Sequence, residues 1–245
     1  MARWVGFALV ALSGAAAAAS LRASTGAEIP ALPVLERFLA ETPTEDVPYR
    51  ALRHLEASAP HLVSRAWMDV WTELDAGGMR YEVIAEDGSD SVRTRVFRAV
   101  LDAEREAVRR GAAKSAALTP ANYTFERRPS DSDLASIAIK PRRRDMLLVD
   151  GSLFLRPPDG ELVRIEGRLA RTPSFFIRRV DIVRRYRRLG GISMPVALES
   201  VAHLLLAGRA TFEMTYDYES VNGQRVGHPQ PRAAAEGDSS SRRSR

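Results

Sequence analysis

Four histidines, His54, His61, His203 and His228, are the imidazoles of this 245-residue chain, and no two stand two or four positions apart. Those spacings would set a metal-binding pair on one face of a strand or helix, so no metal site is expected. Cysteine is absent, which excludes disulfides, thiolate metal sites, iron–sulfur clusters, thiol nucleophiles and a lipidated N-terminal cysteine together. No G-x-S-x-G motif or phosphate-cradling glycine loop occurs, and Gly77-Gly78 and Gly190-Gly191 read as turns. No cofactor and no catalytic residue is therefore expected. Asp145, Asp150, Glu161, Glu166, Asp181 and Glu199 lie in or beside the strand-rich half, where a glycosidase pair can assemble. Arginines flank each of them, which favours surface ion pairs.

Arginine makes up 34 of the 36 cationic residues, with Lys114 and Lys140 the lysines. Guanidinium groups grip phosphates and carboxylates, and two clusters stand out. Lys140 with Arg142, Arg143 and Arg144 forms one; Arg178, Arg179, Arg184, Arg185, Arg187 and Arg188 around Tyr186 form the other. Arg184, Arg185, Arg187 and Arg188 are the candidates for docking an anionic membrane surface or a protein partner. Solvated strand faces that resist edge aggregation are the plainer reading. The net charge of +5 decides nothing, and an arginine- and alanine-rich composition also follows from GC-rich coding.

The elements that must position these groups begin with an address. Arg3, the apolar stretch Trp4 to Leu12 and the small residues Ala15 to Ala19 read as a secretory signal peptide over 1–19, cleaved on export to the periplasm. Export makes nucleic acid an unexpected partner. Residues 20–30 read as a flexible lead-in, and 228–245, poor in large apolar residues, as a disordered tail. Between them lies one domain, 31–227. Helices are expected near 31–57, from Leu32, Leu35, Phe38 and Leu39 and then Tyr49, Leu52 and Leu55, and at 97–110, ended by Gly111.

Alternation starts at Ser64 and turns at Asp75-Ala76-Gly77-Gly78, a hairpin signature, with Val92 to Val96 as a third strand. Further strands are expected at Tyr123 to Phe125, Ile137 to Lys140, Met146 to Val149, Leu153 to Leu155, Leu162 to Ala170, Phe175 to Tyr186, Met194 to Leu206 and Thr211 to Tyr218, spaced as an antiparallel meander. One face of this sheet is apolar. Its candidate ligand-binding residues are Met68, Val70, Leu74, Tyr81, Val83, Val163, Ile165, Leu169, Leu198, Phe212, Met214 and Tyr216.

The stretches "WTELDAGGMRYEVIAEDG" (Trp71 to Gly88), "VDGSLFLRPPDGELVRIEGRLA", "RRYRRLGGISMPVALESVA" and "TFEMTYDYESVNG" resemble the periplasmic lipoprotein-carrier superfamily of LolA-like and LolB-like proteins. The resemblance implies an α+β fold: a curved antiparallel half-barrel with the N-terminal and inserted helices on its concave face. It implies a soluble, non-catalytic periplasmic protein that holds a lipid, an acyl chain or a lipidated protein. An envelope sensor or interaction module on an anionic membrane surface or envelope protein is the alternative, and an envelope hydrolase the third. Without cysteine, a lipid anchor of the LolB kind is absent.

Overall fold

A computed structural model describes residues 33–41, 47–130, 132–206 and 208–231. The expected signal peptide, the lead-in and the tail beyond 231 lie outside these residues. Eleven strands form a single antiparallel sheet: β1 (Tyr49–Ala59), β2 (Ser64–Asp75), β3 (Gly78–Gly88), β4 (Tyr123–Arg128), β5 (Ala135–Pro141), β6 (Val149–Arg156), β7 (Glu161–Leu169), β8 (Ile177–Leu189), β9 (Ile192–Leu204), β10 (Arg209–Val221) and the short β11 (Gln224–Arg225). Their order is β3-β2-β1-β10-β9-β8-β7-β6-β5-β4, with β11 beside β10.

This order explains the helices. The meander β4 to β10 returns to pair with β1, which leaves β3 and β4, consecutive in sequence, at opposite edges. The connection between them must cross the sheet. It does so as one helical run, α2 (Asp90–Val92), a π-helical stretch Arg93–Arg98, α3 (Ala99–Arg109) and the short α4 (Ala113–Ala116). Phe97, Val100, Leu101, Glu104 and Ala107 are buried along the π-helical stretch and α3, one stripe laid on the core. Gly111 ends α3 at φ 63°, a left-handed conformation that glycine adopts without a Cβ penalty. The other helix, α1 (Pro33–Glu41), buries Phe38 and lies against the β6–β7 turn, where Arg37 donates to the Pro158 carbonyl at 2.8 Å. The expected α+β class, a curved, unclosed antiparallel sheet with helices on one face, is what forms.

Three expectations are corrected. The helix over Val47 to Ala57 is strand β1. Tyr49, Leu52 and Leu55 imitate helical spacing, but the core-facing set is Tyr49, Ala51, Arg53, Leu55 and Ala57, a period of two disguised by a buried arginine and two small residues. The strand over Val92 to Val96 is helical, because the chain has left the sheet edge there. The two strands expected at Met146 to Val149 and Leu153 to Leu155 are one, β6, which starts only at Val149 and runs through Asp150 and Gly151, where Gly151 faces Gly167 of β7.

Candidate ligand-binding site

Bulges decide which side chains reach the concave face. β7 slips against β6 between Phe154 and Leu155, so Leu162, not Val163, pairs with Leu155 on the core side. Val163 thus falls out of the apolar set expected from alternation. Likewise β3 slips against β2 beside Asp69, which opposes Glu86 to the core-facing Met68 and leaves Ile84 exposed. The remaining candidates converge. Met68, Val70, Leu74, Ile165, Leu169, Leu198, Phe212, Met214 and Tyr216 are buried in one cluster, with Tyr81 and Val83 half-buried against it.

The lid fills most of this face. Phe97 packs on Phe212 with ring centroids 6.1 Å apart, and Val100 and Leu101 are fully buried. Polar ties hold it. Glu86 accepts from Arg93 at 3.0 Å and from Arg98 at 2.9 Å, and those guanidinium groups hold its carboxyl below the usual carboxylate range, Arg98 most of all. The Tyr81 hydroxyl donates to Asp102 at 2.8 Å. Deepest is Arg53 of β1, 0% exposed, which donates to both oxygens of Glu104 of α3 at 2.6 and 2.9 Å; Glu104 is 2% exposed. Arg53 also donates to the Tyr49 hydroxyl and lies over the Tyr216 ring at 4.7 Å.

Arg184 joins this seam, which corrects its assignment to an outer docking cluster. Successive strand residues face opposite ways, so Arg184 points inward while Arg185 points out. Arg184 is 4% exposed. Burial works against its charge, Tyr186, Tyr216 and Glu104 favour it, and the balance lies above the ordinary arginine value. Arg185 pairs with Glu199, and Arg188 lies 3.6 Å from Glu41. Arg187 alone of the four is exposed without an ion pair among the described residues.

The six carboxylates considered for hydrolysis are each held by an arginine. Asp150 pairs with Arg168 at 2.8 Å, Glu161 with Arg156 at 3.1 Å, Glu166 with Arg164 at 3.2 Å, Asp181 with Arg179 at 2.9 Å and Asp145 with Arg143 at 3.4 Å, beside Arg185–Glu199. They form surface ion pairs.

Four buried tyrosines make the interior alkali-sensitive. Burial pushes the Tyr216 and Tyr123 hydroxyls up to about 12, and lifts those of Tyr49 and Tyr218 well above the ordinary tyrosine value. An unfolded tyrosine ionises near pH 10, so between about pH 10 and 12 the unfolded chain loses protons that the folded one keeps. Stability is complete below this window and falls through it, by about 2–3 kcal/mol for Tyr216 alone. Urea midpoints measured across the window should drop steeply, with tyrosinate absorbance rising in step with unfolding.

A cavity of about 270 Å³ lies where α2 and the π-helical stretch meet the ends of β1, β2, β9 and β10. Ala57, Ala59, Leu62, Val92, Val96, Ala202, Ala210 and Phe212 form its apolar wall; Ser58, Ser64, Ser89, Ser200, Thr211 and Arg95 add polar groups. Among the twelve apolar candidates only Phe212 borders it. Sequence reading missed the others because they come from strand ends, turns and the unrecognised start of the lid.

The fold and site therefore define a curved antiparallel sheet, lidded by the helix that joins its edges, with a cavity at its rim. No family model and no curated protein matches the chain. Among solved structures it is similar to a LolA superfamily protein from Nitrosomonas europaea, at 12% identity and a TM-score of 0.37 over 82% of this chain and 94% of that one. It is also similar to a DUF1329 family protein from Desulfovibrio piger, at 8% identity and a TM-score of 0.38 over 84% of this chain and 95% of that one. No helix among the described residues is long and apolar enough to cross a membrane.

Proposed function

We propose that this chain is a non-catalytic periplasmic binding protein that holds the acyl chain of a lipid or lipidated protein between the curved sheet and its lid. The observation that carries this reading is the cavity of about 270 Å³, walled by alanine, valine, leucine and phenylalanine side chains beneath the start of the lid. Each methylene withdrawn from water into such a wall contributes roughly 0.8 kcal/mol. The volume takes part of a long chain. A longer one is accommodated if the start of the lid lifts, since Val92, Val96 and Phe97 cover apolar side chains of the sheet there, while the buried Arg53–Glu104 pair keeps α3 seated. The exposed or half-buried ties of Glu86 and Tyr81 are weak enough in water to permit that movement, and the segment Arg3 to Ala19 supports export.

The test is uptake of a fluorescent fatty acid. Ala202 is buried in the cavity wall, so Ala202→Phe fills the void without disturbing the lid ties. We expect uptake to weaken about tenfold or more, with thermal stability held or raised as the void closes. Protein that takes up no fatty acid, and yields no lipid on extraction from the periplasm, would overturn the reading.

A further inference from the structure

We propose that the rim at which the cavity opens is a membrane-docking surface that seats on anionic phospholipid. Seven large apolar side chains are exposed among the described residues, and six of them, Leu62, Val63, Phe175, Phe176, Leu205 and Leu206, belong to three loop tips at this end. The tips are neighbours. The Leu205 N–H donates to the Phe176 carbonyl at 2.9 Å, and a Cβ built on Gly208 would stand 2.4 Å from the His61 ring. The β7–β8, β9–β10 and β1–β2 connections thus form one ridge, and Leu62 joins it to the cavity wall.

These side chains are displayed. Val63 and Leu206 are each 96% exposed, and Phe175 is 79% exposed. Val63 also sits at φ 48°, ψ 42°, a left-handed conformation that is costly for a β-branched residue and easily met by glycine or asparagine. No burial within the described protein offsets either the strain or the exposure, so the fold gives no reason for a valine there. Contact outside the protein does.

The charges around the ridge say what that contact is. Arg95 at the cavity wall and Arg171, Arg178 and Arg209 beside the tips are exposed and have no carboxylate partner among the described residues. By contrast the acids Glu56, Asp90 and Asp181 are already held by Arg65, Arg93 and Arg179, and Asp87 on the edge strand and Glu213 beside Glu56 are the acids without an ion pair there among the described residues. Protruding apolar tips ringed by free guanidinium groups match the boundary between acyl chains and phosphate headgroups of an anionic bilayer. A second copy would bring the same positive ring to the contact and be repelled. The surface needs no occupied cavity, and so stands independently of the binding reading.

Co-sedimentation with vesicles of phosphatidylglycerol and phosphatidylethanolamine, against vesicles of phosphatidylcholine alone, tests this. We expect binding to the anionic vesicles, weakened by salt, and about tenfold less for Val63→Asp with Leu206→Asp and for Arg178→Glu with Arg209→Glu. All four positions are exposed, and aspartate meets the left-handed backbone at 63 more easily than valine, so thermal melts should not fall and fatty-acid uptake should persist. Failure of the native protein to bind anionic vesicles would overturn the proposal, as would undiminished binding by both variants. So would a native dimer, seen by sedimentation velocity and abolished by Val63→Asp with Leu206→Asp, since a second copy would then be the occupant.

Discussion

Glu104→Leu lowers the free energy of unfolding by about 3–5 kcal/mol, whereas Arg53→Met and Glu104→Leu together recover most of that loss. Arg53 is enclosed completely and its two bonds to Glu104, at 2.6 and 2.9 Å, are its only carboxylate contacts among the described residues. Burial disfavours the guanidinium charge, but Glu104, Tyr49 and Tyr216 more than reverse that and hold it well above its ordinary value, so it does not escape by losing its proton. Removing Glu104 strands a cation in the core. Removing both charges leaves apolar side chains in their place, beside Val70 and Tyr216, which pair with position 53 across β2 and β10. Urea unfolding of the native protein, the two single variants and the double variant closes the cycle. A Glu104→Leu protein within about 1 kcal/mol of native would show that the pair does not hold the lid. The single variant should also exchange the amide hydrogens of Asp90–Arg109 faster, since it loosens α3 before the sheet.

Much of the architecture could be read from the chain because its longer strands alternate over most of their length. Ser64–Asp75 and Gly78–Gly88 alternate around a Gly-Gly turn, and β7 to β10 are bounded by turn residues. Readability fails where a buried charge interrupts the pattern. Arg53 and Arg184 are cations on the core face, and a reading that sends arginine outward turns β1 into a helix and Arg184 into a surface contact. It also fails at bulges, since a single extra residue at Val163 or Ile84 exchanges the faces of all that follows. The cavity was least visible. It is assembled from the ends of four strands and the first turns of the lid, and no local pattern marks residues that meet only through topology.

Gly151→Ala, a single added methyl, is expected to cost about 3 kcal/mol or more, far beyond what its size suggests. A Cβ on Gly151 would lie 2.0 Å from the Glu166 carbonyl oxygen and 2.6 Å from the Gly167 Cα; one on Gly167 would lie 2.4 Å from the Asp150 oxygen. The obstructing atoms are backbone, so no rotamer change relieves the clash, and the two strands must separate at a paired position. The pair lies on the core side of the sheet, between Val149–Leu169 and Leu153–Ile165, where a double gap lets β6 and β7 close up and the sheet coil. Gly77→Ala is the control. Its Cβ would meet only the movable ends of Asp75 and Arg80, at 3.1 and 3.3 Å, so its cost should stay below about 1 kcal/mol. Thermal and urea melts of both variants decide the matter, and equal stability would mean that the close approach does not constrain the fold. Because curvature sets how the lid seats, Gly151→Ala should also disturb fatty-acid uptake although it lies remote from the cavity wall. Gly77→Ala should not.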